Sequence, residues 1–253
     1  MKKKKKVNII TDVILIMLLV IMGFSGYKLY TIYNDYAEAK NTYDDLRGEI
    51  KYKPSKKEIE EQNSLDIDWK RLKEINPDII GWIYCEDTPI DYPILQGKDN
   101  DYYLYKLYTH EYSIAGSIFA DYNCLNPFNG DMTILYGHRM KDLSMFATLK
   151  YYFWEDFFND HPTMEIYTPE KNYTLELFSA KEVGDMNYYR YNFSSPGDKD
   201  EYIRKITTTN EMIGYDNRVK VNAEDKLVMM STCTSRLDNN RLVVWGRLVD
   251  KVI

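Results

Sequence analysis

Three residues far apart in the chain carry groups that could together do acyl-transfer chemistry: His138, Cys233 and Arg241. Cys233 follows the apolar run Leu227 to Met230 and sits among small polar residues (STCTS), which predicts a thiol at the rim of a fold. A cysteine becomes a nucleophile when a neighbouring base or cation favours its thiolate. His138 is one supplier, because it follows the apolar strand Met132 to Tyr136 and Gly137 and should emerge where the backbone turns. Arg241 is another. It opens RLVVWGRLV after an Asp-Asn-Asn turn, so a hairpin would return its guanidinium toward Cys233. Its several N–H donors suit the negative oxygen of a tetrahedral intermediate. Taken singly, each residue also has an ordinary structural reading: strand-end histidines, buried lone cysteines and arginines that open strands are common.

The remaining candidates are weaker. His110 lies in a polar, Tyr-rich stretch and His161 precedes Pro162 after a helix, both surface contexts. Cys85 ends the apolar run IIGWIYC and reads as a buried, inert thiol, whereas Cys124 reads as a loop thiol. An odd set of three cysteines without a C-x-x-C pair argues against a disulfide framework or a structural zinc site, although a Cys85–Cys124 bridge stays open. No Asp/Glu set has EF-hand spacing, so neither a metal nor another cofactor is expected.

The elements that must position these groups are mainly short strands. IIGWIYC, PIDYPIL, AGSIFADY, MTILYG, MEIYT, YTLELFSAKEV, RVKV, KLVMMSTC and RLVVWGRLV alternate with turn residues, a pattern that predicts a barrel or sandwich. A short amphipathic helix over Trp69, Leu72 and Ile75 precedes them, and Ser144 to Asn159 has the apolar spacing and length of one helix. Between Asp185 and Gly214 a Tyr-rich, then charged stretch holds the helical-looking DKDEYIRKITTT. A long insertion of this kind either contacts a substrate or covers one face of the barrel.

Hydrophobic residues make up 44% of the chain and charged residues 28%, the balance of a folded core and not of a disordered tail. Five of the 33 basic residues are Lys2 to Lys6, so the rest of the chain opposes 28 basic to 39 acidic residues. Such an acidic body lacks the basic face that binding to nucleic acid requires. After the lysines, Val7 to Tyr27 is largely apolar and unbroken from Val13 to Phe24. With Asn8, Thr11 and Asp12 near the headgroups it is long enough to span a bilayer, and the lysines would hold the N-terminus inside. A cleaved signal peptide has similar regions, but no A-x-A site follows here. Thr31 to Ser64 offers few large apolar residues, which predicts a solvated, partly helical stalk.

The combination resembles a known family. TILYGHRM at 133 to 140, MMSTCTS at 229 to 235 and RLVVWGRL at 241 to 248 are similar to the His, Cys and Arg signatures of sortases. INPDIIGWI, IDYPILQGKDNDYYL, AGSIFADY and SMFATLKYY resemble class B sortases in particular, so the likeness covers about Asp68 to Val249. It implies an eight-stranded β-barrel with N-terminal helices and a helix-containing insertion between the sixth and seventh strands. The implied order is a cytoplasmic tail (1–6), a transmembrane signal-anchor (7–27), a stalk (28–66) and a catalytic domain (67–253).

For function, the resemblance implies a membrane-anchored, extracellular cysteine transpeptidase. Cys233 matches the nucleophile, His138 the acid/base and Arg241 the oxyanion arginine, with Arg236 as a fallback because the turn TSRLDNN is short and polar. Asn100, Leu104, Tyr189 and Ser231 match positions of the groove that holds a sorting peptide. The implied substrates are secreted proteins with a C-terminal NPxTx- or SPxTx-like motif, cleaved after Thr, and the implied acceptor is an amine of peptidoglycan or of lipid II. A pilin-polymerising sortase, a Cys/His endopeptidase and a non-enzymatic adhesion module are the competing readings.

Overall fold

A computed structural model describes residues 9–52, 65–184, 186–208, 219–233 and 240–251. A two-stranded antiparallel ribbon, β1 (Lys51–Tyr52) with β2 (Asp66–Ile67), precedes eight strands that close into one barrel: β3 (Ile79–Tyr84), β4 (Asp91–Leu95), β5 (Ile118–Ala120), β6 (Met132–Tyr136), β7 (Thr163–Tyr167), β8 (Asn172–Val183), β9 (Leu227–Cys233) and β10 (Arg241–Asp250). Around the barrel the order is β10, β8, β7, β3, β4, β5, β6, β9. The β4–β5 and β6–β9 pairs are parallel and the other neighbours antiparallel. Closure leaves no barrel edge to aggregate. The fill is the inward-facing apolar set expected of alternating strands, with Ile94, Leu135, Ile166, Leu175, Met230 and Val244 wholly buried.

The sixth barrel strand, β8, is followed by a short 3₁₀ turn (Met186–Tyr188) and a helix (Pro196–Thr208) before the seventh, β9, so the helix-bearing insertion lies where the resemblance put it. Tyr202, Ile203 and Ile206 of that helix bury against a second core that includes Trp245. The Trp245 indole N–H donates to the Tyr202 hydroxyl at 2.9 Å, which satisfies a polar group that burial would otherwise strand.

Three sequence expectations change. Ser144 to Asn159 is not one helix but a 3₁₀ helix (Ala147–Phe153) and a short α-helix (Glu155–Asp160), broken at the extended residue Trp154. Phe146, Leu149 and Tyr152 are all fully buried, and their three-residue spacing lines up on one face only at three residues per turn. RVKV contributes no strand among its described residues 219–221, which run in bend and coil ahead of β9. The stalk is not solvated throughout.

That last difference comes from α1 (Ile9–Ile50), one continuous helix of 42 residues. Its N-terminal half is exposed along the apolar run, and the helix is long and apolar enough to cross a membrane. Its C-terminal half packs on the barrel through Ala39, Tyr43, Leu46 and Ile50, each buried to 4% exposure or less. The spacing of four, three and four residues is one helical stripe. It is narrow and interrupted by charge, so composition hides it. The Tyr43 hydroxyl donates to Gly116 O at 2.9 Å and the Arg47 guanidinium to Asp91 O at 2.8 Å, fastening the stripe to the loop before β5 and to the start of β4.

Candidate active site

The parallel β6–β9 pair sets the geometry of the rim. Its register pairs Met132 with Leu227 and runs without a slip to Tyr136 opposite Ser231. One step further, Gly137 N–H still donates to Ser231 O at 3.2 Å. His138 and Cys233 each stand two residues beyond the Tyr136–Ser231 pair, so the same offset brings them to one level of the barrel mouth. On the other side of β9, the antiparallel ladder with β10 pairs Cys233 directly with Arg241. Three residues separated by up to about a hundred positions thus converge on three adjacent strand ends. The predicted hairpin is present, while its turn, with Arg236, lies outside the described residues.

Gly137 makes the exit of the chain from β6 feasible. A side chain there would overlap Ile118 and Phe146, so the backbone must pass bare between them before His138 leaves the strand. The His138 ring is then held by two contacts. Its Nε2 lies 2.7 Å from Leu104 O and its ring centroid 5.5 Å from that of Tyr105. A carbonyl only accepts, so Nε2 carries the proton and Nδ1 is the basic nitrogen of the neutral ring. Burial pushes the imidazole below its ordinary range, and the Leu104 carbonyl offsets part of that shift.

The other two thiols differ in kind. Cys85 and Cys124 are both free and buried. Burial raises the Cys85 thiol, and raises that of Cys124 to about 11, so neither forms a thiolate near neutrality. Cys124 does sit in a loop, as expected, but inside the second core, with its sulfur accepting from Ile134 N–H at 3.4 Å. Among the described residues no three His, Cys, Asp or Glu side chains gather to hold a metal ion.

Three of the groove candidates, Asn100, Tyr189 and Ser231, fall into one connected set through Asp121 and Tyr136. Tyr189, from the insertion, shares a 2.8 Å hydrogen bond between its hydroxyl and that of Ser231. Asn100 donates from Nδ2 to Asp121 Oδ2 at 2.8 Å and accepts Tyr122 N–H at 3.0 Å. Leu104 lines up with the others through its carbonyl, which holds His138. Sequence reasoning missed three members: Asp121, Tyr136 and Tyr191. Asp121 is 1% exposed and receives the hydroxyl protons of Tyr136 at 2.8 Å and of Tyr191 at 3.1 Å. The one available signal was an acidic residue closing the apolar strand of AGSIFADY. Its partners come from the β6 end and the insertion, which no local pattern links to it.

Comparison with known proteins agrees with this architecture. Residues 83–249 match the family model described as the sortase domain, and the chain belongs to the sortase family, whose members are cysteine transpeptidases. The relatives it resembles are of class B. It is 42% identical over 183 residues to Sortase B of Listeria monocytogenes serovar 1/2a, covering 71% of this chain and 73% of that one. It is 32% identical over 251 residues to Sortase B of Staphylococcus aureus, covering 98% of each. The crystal structure of sortase B from B. anthracis in complex with AAEK1 superposes with a TM-score of 0.74 at 37% identity, covering 87% of this chain and all of that one.

Proposed function

We propose that this sortase cleaves a C-terminal NPxTx- or SPxTx-like motif after its Thr and joins the new carboxyl end to an amine of peptidoglycan or of its lipid II precursor. Cys233 is the nucleophile, His138 the acid/base and Arg241 the oxyanion donor. The observation that carries this reading is the double register, His138 level with Cys233 through β6–β9 and Arg241 opposite it through β9–β10. Directly opposed residues of an antiparallel pair hold their Cβ atoms about 5 Å apart.

In the first stage the Cys233 thiol gives its proton to His138 Nδ1, the nitrogen not engaged by Leu104, as sulfur attacks the carbonyl carbon after Thr. Negative charge builds on the carbonyl oxygen, where the Arg241 fork stabilises it. The C–N bond then breaks, the imidazolium protonates the departing amine, and a thioester remains. In the second stage His138 takes a proton from the entering amine, which displaces sulfur and leaves the protein joined through an amide. The exposed apolar half of α1 supports a membrane anchor, with Lys2 to Lys6 inside and the barrel outside.

The test is a peptide-library cleavage assay on residues 31–253, read by mass spectrometry with and without added amine. Transfer to the amine is expected; release to water alone would mean an endopeptidase. Cleavage retained in Cys233→Ala would end the reading.

A further inference from the structure

Asp121 is a buried carboxylate, at 1% exposure, that has no cationic partner among the described residues. Hydrogen bonds compensate it instead. Oδ2 accepts from Asn100 Nδ2 at 2.8 Å, from the Tyr136 hydroxyl at 2.8 Å and from the Tyr191 hydroxyl at 3.1 Å. Oδ1 accepts from the backbone N–H of Asn123 at 2.9 Å and from its side-chain amide at 3.2 Å. An ionised carboxylate can only accept, and a phenol has one proton. Both phenols have spent theirs on Asp121, so only lone pairs remain on their oxygens, and Tyr191 already offers one of its own to the Asn123 side-chain amide. The carboxamide of Asn100 is likewise clamped at both ends, its oxygen taking Tyr122 N–H at 3.0 Å.

These residues gather at the end of β6 that leads to His138. Asn100, Tyr136 and Tyr191 are each half-buried, so they keep a face toward the outside. The Tyr136 ring stacks on that of Tyr189 with centroids 6.3 Å apart and planes 14° off parallel, and Tyr189 is bonded to Ser231. Tyr136 is also the last β6 residue before Gly137 and His138. The buried Asp121 carboxylate therefore takes the hydroxyl protons of two half-buried tyrosines beside the end of β6.

We propose that Asp121 is a positioning residue that sets the hydrogen-bond polarity of the groove floor: by taking the protons of Tyr136 and Tyr191 it leaves acceptor oxygens, so the sorting peptide must bring N–H or O–H donors to them. The inference rests on the sorting-peptide reading above and extends it to substrate choice. Both first residues of the expected motifs, Asn and Ser, carry such a donor. An isosteric Asp at that place would bring only acceptors and would meet unpaired oxygens in a dehydrated site.

The test uses peptide pairs that differ only as Asn against Asp at the first motif position. The wild-type enzyme is expected to favour the Asn peptide by roughly a hundredfold in kcat/KM, since a buried unpaired polar group costs about that factor. Asp121→Asn keeps the shape but supplies an amide that can donate to a phenol and turn its proton outward. It should raise KM for the Asn peptide about tenfold, lower kcat less, and narrow the Asn/Asp ratio by at least tenfold. Tyr136→Phe, with Asp121 intact, removes one acceptor and should narrow the ratio too, which covers the case where Asp121→Asn fails to fold. An unchanged ratio in both variants, or a loss confined to kcat, would overturn the proposal. A wild-type enzyme that cleaves neither peptide nor any library member would instead remove the sorting reading and the proposal with it.

Discussion

Arg241 stands directly across the β9–β10 ladder from Cys233, the first residue of one strand against the last of the other. Strand pairing fixes such a relation more firmly than a loop does, because a one-residue slip would turn every side chain of β10 to the wrong face of the barrel. The proposed oxyanion donor is thus tied to the register of the core.

Arg241→Lys should therefore fail although it keeps the charge, since the planar fork with its fixed donors is lost. A loss of about a hundredfold in kcat, or roughly 3 kcal/mol, is expected with KM little changed. Steady-state kinetics on the cleaved peptide decide it, and a lysine variant with near-normal kcat would count against an oxyanion role.

His138 should titrate below the ordinary histidine value of about 6.5, because burial disfavours its imidazolium. The unfolded chain then binds the proton first as pH falls. Stability from this group is complete above pH ~6.5 and is lost as pH drops through the lower folded value. Ring-proton NMR gives the pKa, and His138→Gln should remove that part of the acid destabilisation. A folded value above 6.5 would reverse the sign.

The thiols should separate by reactivity. In the native protein an alkylating reagent should modify Cys233 and spare Cys85 and Cys124, whose burial keeps them protonated. All three should react in denaturant. Mass spectrometry of the labelled peptides reads this, and rapid native labelling of Cys124 would contradict its place in the second core.

Leu46→Ala should destabilise the domain by about 2–5 kcal/mol, since Leu46 is 1% exposed within the α1 stripe. A truncation starting at residue 31 should keep that stability, whereas one starting at residue 53 should lose it. Chemical denaturation of the three proteins checks both points. Equal stability of all three would return the segment to the role of a mere spacer.

Much was legible before the structure. Strand alternation, the pairing of the last two strands and the strand-end positions of His138 and Cys233 follow from side-chain period and turn chemistry, which are local properties. The apolar run at Val13 to Phe24 is equally local. What escaped was non-local or marginal. The break at Trp154 depends on which face of Phe146, Leu149 and Tyr152 meets the core. The docking of α1 depends on four residues in an otherwise charged segment finding a barrel surface to cover. RVKV has the composition of a strand, but pairing decides strands, and β9 already lies between β6 and β10.

Residue identity alone determined the chemical inventory of this protein: one thiol, one imidazole and one guanidinium in strand-end settings, with an apolar helix ahead of them. Only the tertiary structure decided that they share one level of the barrel mouth, that Leu104 engages Nε2 of His138, and that a buried Asp121 orients the hydroxyls of Tyr136 and Tyr191. The reason is that sequence patterns report the preferences of neighbours along the chain, whereas register, burial and hydrogen-bond direction are set by partners that chain closure brings from tens of residues away.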